Sequence, residues 1–520
     1  MQGDAAGQQP GALDNEWTSN DLLRDDDAMD RPHEACGVFG IFAPGMDVAR
    51  VTYFGLYALQ HRGQESAGIV TTTGDSELHA HRRIGLVSQV FTEANLQALP
   101  GFAAIGHTRY STTGSNRQEN VQPVMSTGTL GQVAVGHNGN LTNILTLRAR
   151  LMDSGETFET TSDTELIARM LAIEPGATYV DKLRRVMPSL QGSYSLVILT
   201  PNELIAARDP FGVRPLCLGR VDGHWVVASE TCALDTVGGE FVREVEPGEI
   251  LVITGDGEEG LRSVQGQKSV SRAACLFEYI YFARPDSMIM NRSLYLSRQR
   301  MGVQLAEEYP VEADIVIGVP DSATPAAAGY AAARGLQYAD GLIKNRYIGR
   351  TFIQPDQQLR ALGVKMKFNA LSAVLKGKRV VMIDDSIVRG TTSRPLVQLL
   401  RDAGATEVHL GISSPPFRWP CYLGLDVARR DELIAARLND VNDIGREIGV
   451  DSIHYLSLDG LIKAIDLPND SFCVGCFTGT YPMPVQMELA DKLALEPSSL
   501  AVEDADARRG EQHVAGVGGR

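Results

Sequence analysis

Cys36 opens the apolar, Gly-flanked run CGVFGI directly after a polar stretch, residues 1–35. A thiol attacks as its thiolate, and a free cysteine with an ordinary pKa of about 8.5 needs a base at neutral pH. A chain-terminal α-amine, ordinarily at about 7.7–8.0, can be that base if the cysteine becomes residue one. Loss of Met1 alone does not expose Cys36, so this chemistry requires residues 1–35 to be a leader that is cut away. The competing explanation is a cysteine buried in a Gly-flanked strand, a common fate of free thiols. A second stretch, VVMIDDSIVRGTTS from Val380 to Ser393, reads as an apolar strand ending in Asp384 and Asp385, then a polar loop, then a helix. The amides and hydroxyls of that loop, with Ser386, Arg389, Gly390, Thr391 and Thr392, suit a phosphate at a helix N-terminus. Two adjacent carboxylates would repel the phosphate and need another task, which sugar hydroxyls and Mg²⁺ supply. An acidic helix cap accounts for one aspartate but not for the pair. The third group is cysteine: Cys473 and Cys476 at C-x-x-C spacing, with Cys275 and Cys421 far away in sequence. That spacing is compatible with thiol exchange, zinc or an iron–sulfur cluster.

Polar residues beside glycines recur after Cys36, in HRGQESAG (His61 to Gly68), GHTRYSTTG (Gly106 to Gly114), GHNGNLTN (Gly136 to Asn143) and TSDTE (Thr161 to Glu165). They fall at or near strand ends, where backbone amides can face a ligand. Singly, each has an ordinary explanation: Arg109 as a surface ion pair, Asn138-Gly139 as a hairpin turn, Asp163 as a helix N-cap. Together with CGVFGI they resemble the glutaminase domain of the N-terminal-nucleophile amidotransferases. The resemblance implies that Cys36 attacks the side-chain amide of glutamine to form a thioester. It also implies that Arg109 binds the substrate carboxylate, that Asp163 holds its ammonium, and that the Asn138 side chain and the Gly139 N–H form an oxyanion hole.

The Val380–Ser393 stretch resembles the phosphoribosyl pyrophosphate (PRPP) signature of the type I phosphoribosyltransferases. The segment from Val316, VIGVPDSATPAAAGYA, resembles one that lines the same cleft and offers Ser322 near the metal. Between them a basic loop carries Lys344, Arg346, Arg350, Arg360, Lys365 and Lys367 against Asp356 alone. By resemblance it folds over the substrate, with Lys344 and Lys367 on the phosphates; a solvated surface loop is the alternative.

Across residues 36–485 the chain resembles the glutamine PRPP amidotransferase family. That family's reaction is the first committed step of purine synthesis: glutamine, PRPP and water give 5-phosphoribosylamine, glutamate and pyrophosphate. The resemblance further implies Mg²⁺, feedback inhibition by purine nucleotides, and a homo-oligomer, usually a tetramer; since free ammonia is protonated in water and loses its lone pair, a closed passage between the sites is expected. One branch of the family holds a structural [4Fe–4S] cluster, and ACLFEY, RWPCYLG and CVGCFTG resemble its ligand positions, here Cys275, Cys421, Cys473 and Cys476. Zinc stands second. Two rivals differ in class. Sugar-phosphate aminating relatives use another second domain, without IDDSIVRGTTS; a PRPP-sensing regulator has no need of Cys36 with a full glutamine-binding set.

The elements that must position these residues change character once along the 520-residue chain. Residues 1–35 carry nine acidic and two basic side chains without apolar periodicity, as a disordered leader does. Residues 36–270 hold short apolar runs such as AAIGHTRY, QVAVGHN, YSLVILT, WVVASE and ILVIT, with one helical pattern opening near Thr160. This predicts an α+β domain of antiparallel sheets layered with helices. Residues 271–486 alternate strand and helix (DIVIGV, then Ala323 to Arg334; RVVMIDD, then Thr391 to Ala403; then EVHLGIS), which predicts an α/β domain on a parallel sheet. Residues 487–520 read as the end of a helix and a frayed tail. Cys217 and Cys232 lie in apolar strand-like contexts and read as core. A formal charge of −16 repels nucleic acid, and no window approaches the roughly 20 apolar residues of a membrane span. The expected location is the cytoplasm.

Overall fold

The structure, a computed structural model, describes residues 36–110, 116–269, 271–345, 367–425 and 429–485. The leader, the tail, and Arg346, Arg350, Asp356, Arg360 and Lys365 of the basic loop lie outside the described residues.

The first region contributes the strands β1 (Gly37–Phe42), β2 (Ser66–Thr72), β3 (His79–Ile84), β4 (Ala103–Arg109), β5 (Val124–Gly128), β6 (Gly131–Leu141), β7 (Gly192–Leu199), β8 (Leu204–Arg208), β9 (Cys217–Val221), β10 (His224–Ala228), β11 (Glu240–Glu244), β12 (Glu249–Ile253) and β13 (Leu261–Gln265). They build two sheets, ordered β11-β9-β10-β1-β4-β2-β3 and β13-β12-β8-β7-β6-β5. The strand pairs are antiparallel. Alternation along each strand sorts the side chains between two faces. On β1, Val38 and Phe42 join Ile105, Val197, Leu204 and Leu251 in a core between the sheets. Phe39 and Ile41, on the opposite face, pack against Val48, Ala49 and Leu56 of the helix Val48–Ala58. The second sheet is covered by the helices Asp163–Ile173 and Tyr179–Val186 through Leu166, Ile167, Leu171 and Leu183.

The second region is built on a five-stranded sheet in the order Gln337–Tyr338, Ile315–Gly318, Arg379–Asp384, Glu407–Ile412, Ser452–Tyr455, every pair parallel. The helices Leu294–Glu308 and Thr324–Arg334 lie backbone to backbone: a Cβ at Gly302 would stand 1.8 Å from the Ala326 carbonyl oxygen. Only glycine permits that approach.

The five quoted runs of the first region are strands, and the helix near Thr160 is Asp163–Ile173. Three features differ from the sequence reading. Helices Val48–Ala58 and Ile144–Asp153 form where the pattern pointed to none. Cys232 sits in the helix Thr231–Thr236 rather than in a strand, although it is 1% exposed and in the core as expected. Asp163 is the first residue of its helix, and the cap is Ser162, whose side chain accepts from the Thr164 N–H. Among the described residues no helix is long and apolar enough to cross a membrane.

Candidate active sites

Cys36 lies at the start of β1, which pairs with β4 so that Gly37 faces Thr108. Its Sγ donates to the Tyr110 carbonyl at 3.3 Å and lies 3.5 Å from the Tyr110 nitrogen. Burial pushes the thiol up to about 11; the Tyr110 backbone and the Arg109 charge act against this, while Glu65 and Asp163 add to it. Arg109, at the end of β4, is buried, with Glu65 3.8 Å from its guanidinium. Glycine at position 63 is required here, since a Cβ would meet the Arg109 backbone nitrogen at 2.7 Å.

Asn138 and Gly139 belong to β6 in the other sheet, opposite Ser195 and Tyr194 of β7, so the pair is a strand segment and not a hairpin turn. The His107 ring bonds the His137 carbonyl at 3.0 Å, which ties the Arg109 strand to the Asn138 strand. Asn138 is fully buried, and neither its side-chain oxygen nor its nitrogen has a hydrogen-bond partner among the described residues. A buried, unsatisfied amide is costly unless something fills its need. Gly139 has φ +150 and its Cβ would meet the Ser193 carbonyl oxygen at 2.1 Å. Asp163 reaches His137 Nδ1 at 3.3 Å and accepts from the Leu141 N–H at 3.2 Å. Burial works to raise its pKa, but His137, the Leu141 amide and Arg109 outweigh burial and hold the carboxyl below its ordinary value.

In the second region the strand Arg379–Asp384 delivers Asp384 and Asp385 at its carboxyl end, 4% and 1% exposed. Asp385 accepts from the Ser386 hydroxyl at 2.8 Å and from the Ser322 hydroxyl, so Ser322 and the aspartates are brought together. The loop turns at Gly390, φ +81, and Thr392 precedes the helix Ser393–Asp402. Arg389 points elsewhere: its guanidinium holds Glu432 at 2.7 Å. Lys344 and Lys367 are brought together at the foot of the basic loop, where strand Leu342–Lys344 pairs with Phe368–Ala370 and the Asn345 N–H bonds the Lys367 carbonyl. Lys344 holds Asp321 at 2.6 Å, beside Ser322, rather than standing over open loop.

The four cysteines of the third group also converge. Cys275 pairs with Cys473 in a two-stranded parallel ladder. Burial raises the Cys476 thiol well above its ordinary value, with the Cys473, Cys421 and Cys275 thiols adding to the rise. None is in a disulfide. Among the described residues no three His, Cys, Asp or Glu side chains gather closely enough to hold a single metal ion. Cys275 and Cys476 are buried and Cys421 and Cys473 half-buried, and thiolates are the usual ligands of iron–sulfur clusters.

Sequence reasoning missed the charges behind Cys36. Arg62, fully buried, donates from Nε to the Cys36 carbonyl at 3.1 Å and from Nη2 to Glu278 at 2.6 Å. Glu230 joins it, and Glu278 also meets Arg214 at 3.2 Å. Arg62 lies inside the quoted HRGQESAG run, so its type was visible; its carboxylate partners, more than 160 residues away, were not. His137, beside Asn138, was equally visible and equally unassigned.

Residues 107–236 match a family model described as a glutamine amidotransferase domain, and residues 295–414 match one described as a phosphoribosyl transferase domain. The amidophosphoribosyltransferase of Synechocystis sp. is 53% identical over 462 residues, which is 88% of this chain and 92% of that protein. The Bacillus subtilis amidophosphoribosyltransferase is 48% identical over 88% of this chain and 96% of its own. The solved B. subtilis glutamine PRPP amidotransferase, complexed with ADP and GMP, superposes with a TM-score of 0.82 over 87% of this chain and 98% of that one, at 48% identity. On likeness of this extent in sequence and in structure, the chain belongs to the amidophosphoribosyltransferase family.

Proposed function

We propose that this protein transfers the amide nitrogen of glutamine to PRPP, giving 5-phosphoribosylamine, glutamate and pyrophosphate at the entry to purine synthesis. The observation that carries the glutaminase half is the fully buried Asn138 amide, both polar atoms unsatisfied among the described residues, beside Gly139 on a strand tied to that of Arg109. A buried amide left unsatisfied costs stability, and such a donor repays that cost when negative charge develops on a tetrahedral oxygen beside it.

After removal of residues 1–35 the Cys36 amine takes the thiol proton and Sγ bonds the glutamine amide carbon. The developing oxyanion is held by Asn138 and the Gly139 N–H. Ammonia leaves with the proton returned by the amine, and water then cleaves the thioester to glutamate. Arg109 pairs with the substrate carboxylate and Asp163, kept ionised by His137, with its ammonium. In the second site Asp384 and Asp385 accept from the ribose hydroxyls, and Ser386, Gly390, Thr391 and Thr392 surround the 5-phosphate. Lys344 and Lys367 contact the pyrophosphate; Lys344 then exchanges Asp321 for substrate, and Arg389 contributes once released from Glu432. Ammonia bonds the ribose C1 as pyrophosphate departs. Mg²⁺, on Asp384, Asp385 and Ser322, would neutralise charge on the leaving group. Ammonia released into water would be protonated and lose its lone pair, so transfer within the protein fits this chemistry.

A [4Fe–4S] cluster on Cys275, Cys421, Cys473 and Cys476 would be structural, joining segments about 200 residues apart. Purine nucleotides are the expected inhibitors, a reading supported by the B. subtilis relative complexed with ADP and GMP. A cytoplasmic homotetramer is the expected state. The deciding assay is glutamate release from glutamine with and without PRPP. Strong stimulation by PRPP is expected; PRPP binding without glutamate release would refute the proposal in favour of a sensor.

A further inference from the structure

The segment that follows Cys421 does more than supply a thiol. The Tyr422 carbonyl accepts from Asn140 Nδ2 at 3.0 Å. The Leu423 carbonyl accepts from Ser193 Oγ at 2.9 Å and from Arg214 Nε and Nη2 at 3.1 and 2.8 Å. Gly424, at φ +98, lies so close to β6 that a Cβ there would stand 3.1 Å from the Gly139 carbonyl carbon. Asn140 directly follows Gly139, and Ser193 is its partner across β6 and β7. Of three consecutive residues of the second domain, two therefore accept from side chains of β6 and β7 beside Asn138 and Gly139, and the third packs against the Gly139 backbone. The same turn is held from its other side, where the Leu423 N–H donates to Cys421 Sγ at 3.4 Å and Tyr481 bonds the Pro420 carbonyl.

We propose that the Tyr422–Gly424 turn is a positioning element for the oxyanion hole, fixing the Asn138–Gly139 strand from the second domain and doing so from an anchor at Cys421. The inference rests on the reading of Asn138 and Gly139 as the oxyanion donors. Backbone carbonyls make a stiff support: Leu423 O is fixed by three donors, two of them from the Arg214 guanidinium, which Glu278 in turn holds. An oxyanion donor acts only when it is held where the charge will develop, so a loosened strand lowers turnover rather than substrate affinity. A four-cysteine site placed at Cys421 thereby bears directly on the glutaminase half, through a contact that does not pass through the PRPP site.

The test uses full-length processed protein carrying Asn140→Ala with Ser193→Ala, and separately Gly424→Ala, with Asn138→Ala as reference. Loss of one oxyanion donor typically lowers kcat by about 10²–10³-fold, so displacement of the strand is expected to lower glutamine-dependent kcat by about tenfold. KM for glutamine should stay within about twofold, and ammonia-dependent synthesis and visible absorption should be unchanged. Wild-type kcat in both variants, with Asn138→Ala inactive, would overturn this inference and leave the oxyanion reading intact. Wild-type kcat in Asn138→Ala would remove that reading and this inference with it. A fall in kcat matched by equal losses of ammonia-dependent synthesis or of absorption would also overturn it, as general damage. Should the double variant fail to fold, Gly424→Ala, which removes no hydrogen-bonding side chain and presses from the turn on Gly139 and Arg214, decides.

Discussion

The thiol of Cys36 is pushed up to about 11 by burial while Ala35 is still attached to its nitrogen. At pH 8 that leaves about one molecule in a thousand as thiolate, against about one in four for an ordinary cysteine. Cleavage before Cys36 changes the arithmetic by placing an amine, about half unprotonated at pH 8, next to the sulfur. The perturbation is therefore retention or removal of residues 1–35, verified by intact mass. The assay is the rate of Cys36 alkylation by a glutamine analogue with an electrophilic δ-carbon, measured from pH 6 to 10. For the leader-bearing chain the rate should climb about tenfold per pH unit with no plateau before about pH 10, because the raised thiol is neutral throughout that range. For the processed chain it should level off just above about pH 8, where the amine has lost its proton, and at pH 7 to 8 it should exceed the other by about 10²–10³-fold. Coincident rates and profiles would refute the assignment of the amine as base.

Replacing Asp384 and Asp385 together with Asn should abolish synthesis from glutamine and from ammonia alike while Cys36 still alkylates at its normal rate; normal PRPP affinity in a binding assay would contradict their role. Because Asp163 is held below its ordinary carboxyl value by His137, the Leu141 amide and Arg109 acting against burial, its charge persists down to acidic pH; KM for glutamine should show no ionisation from it above about pH 5, and Asp163→Asn should raise KM at every pH. Glu278→Gln leaves Arg62 and Arg214 short of a buried counter-charge, and urea unfolding should show a loss of about 3–5 kcal/mol. Anaerobically purified protein should be brown with about four irons per chain, and Cys473→Ser colourless; stoichiometric zinc in a colourless, active protein would displace the cluster.

The proposed site residues stand out in the sequence because their chemistry constrains their type and neighbours. Asp384 and Asp385 stand out since no ordinary cap needs two carboxylates, and Cys36 because an apolar, Gly-flanked run begins there after a polar stretch. The strands of the first domain were legible through apolar runs bounded by glycine. The helix Val48–Ala58 was not: VARVTYFGLYA is rich in β-branched and aromatic residues and contains Gly55, all of which argue locally against a helix. Tertiary packing overrides that preference, since a Cβ at position 55 would meet the Phe39 ring at 2.4 Å, so the glycine marks where helix and sheet touch. Lys344 and Arg389 were legible as phosphate-binding types, but their carboxylate partners, Asp321 and Glu432, were not, because ion pairing between distant segments leaves no local pattern. The same holds for Arg62 with Glu278, 216 residues away.

Burying that set of charges between the domains calls for a physical reason, because apolar residues of similar volume would often be as stable. What apolar packing lacks is direction. Arg62 Nε points at the Cys36 carbonyl, and Arg214 Nε and Nη2 point at the Leu423 carbonyl, with Glu278 joining the two guanidinium groups. The Cys36 backbone and the turn that packs on the Asn138–Gly139 strand are thus referred to one carboxylate. A slip between the domains that a greasy interface would tolerate must here break charge-assisted hydrogen bonds in a low dielectric. In the proposed mechanism Cys36 and the Asn138–Gly139 strand must both hold their places, and each has a tie to this junction as well as the His107 bond within the first domain. Glu278 joins those two ties, as the carboxylate that Arg62 and Arg214 share.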